Sequence, residues 1–270
     1  MSDFLQMMAS HSAARAAAAS SSFSSTDFDK PVVPLKLGAF DLIAEIKDRS
    51  PAEGALNTAN SYGDSDRISR AQAYAAGGAA AISVLTEPSR FDGDLAHLEE
   101  VVAAVPDIPV MRKDFLVEPV QILEARKAGA SGVLLIATML SDAKLREMLD
   151  CAWDHGLFVL LESFDDDDLR RSSDLLENSV DRDKAEDGQL LVGVNTRNLR
   201  TLEVDAHRLE NLSPALPKAR CVAESGLRVP EDAARVAGWG YRMALVGTAL
   251  MRSEDPAALV SAMRAAGAGA

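Results

Sequence analysis

Glu45 and Lys47 are oppositely charged residues that end an apolar run, just before the sequence changes to a polar, loop-like stretch. The run, residues 42–44, shows no polar alternation, as expected for a strand buried on both faces of a parallel sheet. Because Glu45 and Lys47 are two positions apart, both side chains point to the same face of that strand. Two charged side chains on a buried strand need polar surroundings, which are provided either by a functional site or by a structural ion pair.

Further polar residues follow the other apolar runs, at the point where each run ends. In chain order the whole set is Lys47 and Ser50, Thr86 and Glu87, Lys113, Glu162, Asn195 and Arg197, Glu224 and Ser225, and Gly247 and Thr248. On a β/α barrel, the residues that end the strands and open the following loops face the active site. Charges gathered at one place are costly to desolvate unless they serve chemistry, so the set favours an enzyme.

The elements that would position these residues are apolar runs alternating with helix-length segments. Strand-like runs cover residues 42–47, 80–85, 109–112, 133–136, 157–161, 190–194, 221–223 and 243–246. Helix-length segments cover 66–76, 95–104, 119–128, 141–155, 166–177 and 231–237. Strict alternation implies parallel strands joined by right-handed crossovers, and eight units in about 230 residues predict an α/β fold, a single (β/α)8 TIM barrel.

Glycines support this arrangement of helices and strands. Gly77-Gly78, Gly129 and Gly238 follow three of the helical segments, where left-handed C-caps are expected. No GxGxxG sequence follows the first strand, which argues against an open, dinucleotide-binding sheet.

The composition excludes several classes of protein. The chain has 270 residues, of which 47% are hydrophobic, so it can bury a sizeable core and is not generally disordered. No apolar run approaches the ~20 residues that span a bilayer, so we expect no membrane association. A net charge of -13 argues against a nucleic-acid partner. Cys151 and Cys221 lack CxxC or metal-ligand spacing, which predicts reduced thiols in a cytoplasmic protein.

The first 37 residues differ from the rest of the chain. They are rich in Ala and Ser up to residue 26, and they lack the basic and apolar regions of a secretory signal, although an organelle transit peptide is left open. We expect a helix over residues 4–19 and then a flexible, Ser-rich link. The predicted organisation is an N-terminal extension over 1–37 and a catalytic barrel over 38–270.

Small residues follow the last two predicted strands, at Ser225-Gly226 and at Gly247-Thr248. Such residues let backbone N–H groups approach the oxygens of a phosphate, and this end of a barrel is where phosphates bind. The alternative at each position is a glycine that merely ends a strand.

Eight motifs between residues 41 and 256 resemble, in order, those of indole-3-glycerol phosphate synthase. They are EIKDRSP at 45–51, SVLTEPSRFDG at 83–93, RKDF at 112–115, LLI at 134–136, LLES at 160–163, GVNTRNLRTLEVD at 193–205, AESG at 223–226 and VGTALMR at 246–252. The resemblance implies a carboxy-lyase of tryptophan biosynthesis. Such enzymes close the indole ring of 1-(2-carboxyphenylamino)-1-deoxyribulose 5-phosphate with loss of CO2 and water, and no metal or other cofactor is implied.

The resemblance also assigns roles to residues. Lys113 would be the general acid that protonates the substrate carbonyl, a role that suits a lysine with a lowered pKa. Lys47, beside Glu45, would hold the anthranilate carboxylate, and Glu162 would exchange protons during dehydration. Asn195 and Glu224 would support Glu162, and Arg197 would position polar groups of the substrate. Phosphate binding is assigned to Ser50, Gly226, Gly247 and Thr248, with Ser225 as a further substrate-binding residue. The apolar wall for the aromatic ring would be Phe115, Leu134 and Ile136. Taken singly, the two aliphatic residues fit the barrel core equally well.

Three features depart from the family pattern or invite another interpretation. Ala52 and Glu53 occupy loop positions where many relatives have Ser and Lys, which would weaken attraction of a phosphorylated substrate. The acidic stretch 178–188 is not needed by the family, and we expect a solvated surface loop away from the chemistry. The acidic run 165–168 is typical of a helix start and is favoured over a metal site.

Two alternatives to the synthase remain. One is another sugar-phosphate barrel enzyme, such as an isomerase of amino-sugar substrates. The other is a weakened, non-catalytic paralogue that binds a phosphorylated metabolite or a protein. Every proposed catalytic position carries the residue that the family resemblance requires, so the synthase ranks first. We expect a monomer or weak oligomer whose partner is a small phosphorylated molecule.

Overall fold

The computed structural model describes residues 3–19, 22–50, 54–55, 64–197, 204–205 and 207–270. Within these residues, eight parallel strands close into a barrel. In order around the barrel they are β1 (Asp41–Ile46), β4 (Ala81–Leu85), β5 (Val110–Lys113), β6 (Gly132–Ile136), β7 (Phe158–Ser163), β8 (Leu190–Asn195), β9 (Arg220–Glu224) and β10 (Met243–Val246). A short antiparallel ribbon, β2 (Arg49–Ser50) and β3 (Gly54–Ala55), follows β1. The predicted barrel is confirmed, and each predicted strand ends within two residues of the observed one.

The barrel strands are buried because helices cover the outside and side chains fill the inside. Every residue of β1, β7 and β8 is buried, which explains why their sequences read as continuous apolar runs. The parallel register sets the strand ends side by side: Ile136 is opposite Glu162, and Asn195 is opposite Glu224. Polar residues that are far apart in sequence therefore meet at the carboxyl end of the barrel.

The helices form the outer layer and close the loops. They are α1 (Asp3–Ala18), α2 (Asp64–Ala76), α3 (Pro88–Phe91), α4 (Leu95–Ala104), α5 (Pro119–Ala128), α6 (Asp142–Asp154), α7 (Asp166–Leu175), α8 (Ser179–Glu186), α9 (Arg208–Leu212), α10 (Pro230–Gly238), α11 (Thr248–Arg252) and α12 (Pro256–Ala268). The predicted helices correspond to α1, α2, α4, α5, α6, α7 and α10. Among the described helices, none is both long enough and apolar enough to cross a membrane.

Two of the predicted glycine caps are confirmed and one is wrong. Gly78 and Gly129 have φ angles of +85° and +99°, in the left-handed region that ends helices α2 and α5. Gly238 instead is the last residue of α10, and the left-handed residue after that helix is Gly240, with a φ angle of +100°.

Helix α1 packs across the carboxyl end of the barrel. Leu5 and Met8 are fully buried there. The side-chain amide of Gln121, on α5, donates a 2.8 Å hydrogen bond to the hydroxyl of Ser12. The N-terminal extension therefore contacts the loops that follow the strands.

The link after α1 also has defined contacts with the barrel. The Arg126 guanidinium donates to the carbonyl of Phe28 at 2.6 Å, and the Val33 N–H donates to the hydroxyl of Ser131 at 2.9 Å. These bonds hold the link beside α5 and the start of β6.

The expectation of a solvated loop over 178–188 is wrong, because helix α8 occupies most of that stretch. The Asn178 side chain accepts from the Val180 N–H and caps the helix. Asp181 and Ala185, one turn apart, are buried, and Asp181 lies 2.6 Å from the Arg146 guanidinium on α6. The helix leads into the amino end of β8, opposite the end that carries the candidate site.

The acidic run 165–168 opens helix α7, as expected. The Asp165 carboxylate accepts from the Asp168 N–H at 3.0 Å, and the Asp168 carboxylate accepts from the Phe164 N–H at 3.1 Å. These carboxylates satisfy backbone donors at the start of the helix, where negative charge is stabilising.

Candidate active site

A cavity of about 590 Å³ opens at the carboxyl end of the barrel, where helix α1 contributes to its wall. Most of the predicted site residues line it: Glu45, Lys47, Lys113, Phe115, Leu134, Ile136, Glu162, Asn195, Arg197, Ser225, Gly226, Gly247 and Thr248. Glu224 is fully buried and does not line the cavity, but it contacts Lys113, which does. The side chain of Ser50, and both Ala52 and Glu53, lie outside the described residues.

Glu45 lies between two lysines. Its Oε1 is 2.5 Å from the Nζ of Lys47, and its Oε2 is 2.8 Å from the Nζ of Lys113. The Nζ of Lys113 is also 3.7 Å from Oε2 of Glu224. The two lysine side chains keep 16% and 18% exposure, whereas Glu45 keeps 3%. The lysines can therefore meet a ligand in the cavity while Glu45 fixes their positions.

The charges in this cluster control each other's protonation. Burial alone would raise the pKa of Glu45, but Lys113 and Lys47 outweigh it and lower the pKa to about 2. Burial alone would lower the pKa of Lys113, but the carboxylates of Glu45, Glu224 and Glu162 outweigh it and raise the pKa. The expectation of a lowered lysine pKa is therefore wrong. Lys113 holds its proton at neutral pH.

Glu162 and Glu224 are two further buried carboxyl groups of the cluster, and they interact with each other. The Asn195 side-chain amide donates to Oε1 of Glu162 at 3.2 Å. Burial raises the pKa of Glu162 against the opposing effects of Lys113 and Asn195. Burial and the neighbouring Glu162 raise the pKa of Glu224 well above its ordinary value. This pair of carboxyl groups can keep a proton at a pH where an exposed glutamate has lost it.

Two glycines make room for this cluster. A Cβ atom at Gly193, on β8, would collide with Oε1 of Glu224. A Cβ atom at Gly247, after β10, would collide with the carboxylate of Glu45 and lie 2.8 Å from the Nζ of Lys47. Any side chain at either position would displace a charged group of the cluster.

The cavity is also lined by four residues that were predicted near the substrate phosphate, namely Ser225, Gly226, Gly247 and Thr248. Ser225 and Gly226 have φ angles of +66° and +84°, and Gly247 and Thr248 open helix α11. A positive φ is uncommon for serine and tends to occur where function requires the backbone shape. The tight turn at 225–226 and the start of α11 present backbone to the cavity, as an anion site requires.

Aromatic and aliphatic residues form the apolar wall. The ring of Phe115 is 6.0 Å from that of Phe4 in an edge-on arrangement, and 6.2 Å from that of Phe91. Leu134 and Ile136, at the end of β6, line the same cavity. This wall suits a planar aromatic group.

The residues on either side of Lys113 fix its backbone. The buried Asp114 carboxylate accepts from the Thr86 hydroxyl at 2.9 Å, from the Arg112 guanidinium at 3.3 Å and from Arg15 of α1 at 2.6 Å. Glu87 caps α3 and lies 3.6 Å from Arg15. Of the strand-end residues, Thr86 and Glu87 thus have structural contacts and do not line the cavity.

Several aromatic and charged residues that line the cavity were not found by sequence reasoning: Phe4, Phe91, Asp114, Arg228 and Arg252. Three of them stand inside quoted motifs, namely Phe91 in SVLTEPSRFDG, Asp114 in RKDF and Arg252 in VGTALMR, so those motifs held the signal. Phe4 and Arg228 lie outside the motifs, and only the folded arrangement brings them to the site.

The closed barrel and the charged residues gathered in a cavity at its carboxyl end are typical of a (β/α)8-barrel enzyme. Solved structures share this fold. The 3-hexulose-6-phosphate synthase from Salmonella typhimurium matches with a TM-score of 0.59 and 18% identity, over 84% of this chain and 98% of that chain. The tryptophan synthase subunit alpha from Legionella pneumophila str. Paris matches with a TM-score of 0.54 and 17% identity, over 86% and 94%. At these identities the likeness shows the fold alone.

Sequence comparison identifies the family. The family model described as indole-3-glycerol phosphate synthase matches residues 6–263. An indole-3-glycerol phosphate synthase from Nocardioides sp. is 44% identical over 241 residues, which cover 88% of this chain and 86% of the relative. One from Methanopyrus kandleri is 44% identical over 229 residues, covering 84% and 83%. The chain belongs to the indole-3-glycerol phosphate synthase family.

Proposed function

We propose that the charged cluster at the carboxyl end of this barrel closes the indole ring of 1-(2-carboxyphenylamino)-1-deoxyribulose 5-phosphate with loss of CO2 and water. Family membership gives the activity, that of an indole-3-glycerol phosphate synthase, a carboxy-lyase of tryptophan biosynthesis. The observation that supports the assignment of residues is that Lys113 and Glu162 line one cavity, between an apolar wall and a glycine-rich turn.

The two ends of the substrate have matching surroundings. The phosphate fits the side formed by Ser225, Gly226, Gly247 and Thr248, with Ser50 completing the site. The aromatic ring fits against Phe115, Leu134 and Ile136, and Arg197 orients the polar groups between them. Holding both ends places the ring carbon that bears the carboxylate near the ribulose carbonyl, which supplies much of the advantage of an intramolecular reaction.

Ring closure needs a proton for the carbonyl oxygen. As the ring carbon attacks the carbonyl carbon, negative charge develops on this oxygen, and Lys113 donates a proton to it. The raised pKa of Lys113 ensures that the proton is present at neutral pH. An alkoxide is more basic than an amine, so the transfer stays favourable, and Glu45 keeps the ammonium group in position.

Decarboxylation and dehydration complete the reaction. Lys47 holds the substrate carboxylate until CO2 leaves, when the electrons of the broken bond restore the aromatic ring. Lys47 then assists departure of the hydroxyl group. Glu162 exchanges the protons of the dehydration step, in which water leaves and a ring proton is removed. Burial raises the pKa of Glu162 for this exchange, and Asn195 holds its carboxyl group in position.

We infer that the protein acts in the cytoplasm as a monomer or weak oligomer. The free cysteines Cys151 and Cys221 support a reducing compartment. We further infer an N-terminal extension over residues 1–37 and a catalytic barrel over residues 38–270. The contacts of Phe4 with Phe115 and of Arg15 with Asp114 support a role of the extension at the site.

The proposal is tested by incubating the purified protein with the carboxyphenylamino-deoxyribulose phosphate and recording indole fluorescence and released CO2 together. We expect one CO2 for each indole product. An isomerase would produce neither signal, and a non-catalytic paralogue would bind the substrate without turnover; either outcome would contradict the proposal.

A further inference from the structure

Arg228 lines the cavity two residues after the Ser225-Gly226 turn, and its side chain is exposed. Its own N–H donates to Oδ2 of Asp232 at 2.8 Å, which fixes the backbone at the entry to helix α10. Arg228 therefore combines a fixed backbone with an exposed side chain at the lining of the cavity.

The Arg228 guanidinium has no hydrogen bond or ion pair with any residue in the described parts of the chain. The Asp232 carboxylate, which accepts from the Arg228 N–H, forms its ion pair with the Arg235 guanidinium at 3.2 Å. In contrast, Lys47 and Lys113 in the cavity both form ion pairs with Glu45. Arg228 is thus a cation available to an incoming anion.

The electrostatics of the cavity call for such a cation. Glu45 and the interacting pair of Glu162 and Glu224, which keeps a proton, surround Lys113, and the whole chain carries a net charge of -13. A phosphate dianion entering this field is repelled unless positive charge lies close to its binding turn. A guanidinium matches phosphate oxygens with paired N–H donors, which a solvated lysine does less well.

We propose that Arg228 is a specificity-determining residue that binds the substrate phosphate beside the turn at 225–226. This inference rests on the proposed function, since it names a further contact for the same substrate. Arg228 acts on binding and not on the reacting atoms, so it controls KM and the preference for a phosphorylated substrate.

The test compares Arg228→Gln, Arg228→Lys and the wild-type protein with the phosphorylated substrate and with its dephosphorylated form. Arg182→Gln is the matched control, because it removes the same charge from an exposed residue of α8, at the other end of the barrel. For Arg228→Gln we expect KM for the phosphorylated substrate to rise about tenfold, with kcat within about twofold, as for loss of one charged hydrogen bond. Arg228→Lys should recover part of the loss, and Arg182→Gln should change neither constant.

The dephosphorylated substrate and inorganic phosphate separate the contact from a general charge effect. Arg228→Gln should leave KM for the dephosphorylated substrate unchanged and should weaken competitive inhibition by inorganic phosphate by a similar factor. An unchanged KM for the phosphorylated substrate, or an equal rise for both substrates, would overturn the proposal. If the wild-type protein formed no indole product, the function would fail, while phosphate binding to the two proteins, measured by calorimetry, would still decide the role of Arg228.

Discussion

The individual residues of the site depend on space as much as on charge. Glu224 can lie next to Lys113 because residue 193 has no side chain: a Cβ atom there would collide with Oε1 of Glu224 and lie 3.2 Å from Leu160. The motif that contains Gly193 and Asn195 therefore matters in two ways. Gly193 leaves space for the Glu224 carboxyl group, and Asn195 supplies its side chain to the site.

Replacing Gly193 with alanine should displace the Glu224 carboxyl group and disturb Lys113. Because misplacement of a catalytic group by about 1 Å costs on the order of 10²-fold in rate, we expect kcat to fall by about that factor. The fold should be retained, as judged by circular dichroism. Gly238→Ala is the control, since a Cβ atom there meets nothing within 4 Å. Wild-type kcat in Gly193→Ala would show that the position of Glu224 does not matter.

The sequence predicted which residues meet in the cavity but not their protonation. Lys113, Glu162 and Asn195 were located by their places at strand ends, which parallel topology brings together. The direction of the pKa shift of Lys113 was wrong because it depends on charges from β1, β7 and β9. Distances between strands are not visible in a sequence. The chemical roles of these residues remain predictions.

Among the elements, the barrel strands were predictable, whereas five helices were not predicted: α3, α8, α9, α11 and α12. The barrel strands are continuous apolar runs because both of their faces are covered. Helix α8 shows one physical reason why a helix was missed. Helix α8 lacks an apolar stripe, and its buried positions hold Asp181 and Ala185. A segment anchored by an ion pair therefore looks like a polar loop in sequence.

The anchor of α8 gives a prediction at this scale. Asp181 is fully buried, accepts from Arg146 at 2.6 Å and lies 3.4 Å from the indole nitrogen of Trp153. Asp181→Ala leaves these donors without an acceptor. Because Arg146 is partly exposed and also contacts Asp150, we expect a loss of only about 1–2 kcal/mol in the free energy of unfolding.

Urea unfolding and steady-state kinetics measure this effect. The kcat of Asp181→Ala should equal that of the wild-type protein, since α8 leads into the amino end of β8. Asp183→Ala, at an exposed position of the same helix, should change neither quantity. A large fall in kcat with retained fold would instead indicate a functional role for this helix.

Helix α1 shows why the extension could not be connected to the site from sequence. It supplies Phe4 to the apolar wall and Arg15 to Asp114, yet the predicted helix carried no motif. The contribution of this element comes from where it packs and not from its composition.

For the molecule as a whole, two buried carboxyl groups of the site lower stability as pH rises. Glu162 and Glu224 are buried with raised pKa values, so the folded protein keeps a proton that the unfolded chain releases above the ordinary value of 4.5. The free energy of unfolding therefore falls as pH rises from that value to the pKa of the folded state. The slope is up to about 1.4 kcal/mol per pH unit for one group. Glu45 has the opposite sign: its lowered pKa adds stability that is lost as pH falls toward about 2.

Replacing Glu224 with glutamine should raise the stability of the protein at high pH and lower its activity. Glutamine is neutral at every pH, so we expect the variant to be more stable than the wild-type protein at pH 8, with a difference that shrinks toward pH 4.5. Its kcat should fall. Thermal unfolding across this pH range measures the difference, and Glu186→Gln, on the exposed side of α8, controls for net charge. A stability difference that does not depend on pH would mean that Glu224 does not hold the extra proton.

The most direct test of the division of labour in the site is single-turnover, rapid-quench analysis of Lys113→Met and Glu162→Gln. Lys113→Met keeps most of the side-chain volume but loses the proton, so ring closure should slow by ~10²-fold or more and only substrate should be found. Glu162→Gln should close the ring and lose CO2, and the decarboxylated, undehydrated intermediate should accumulate. If both variants contain only unreacted substrate, the assignment of ring closure to Lys113 and dehydration to Glu162 is contradicted.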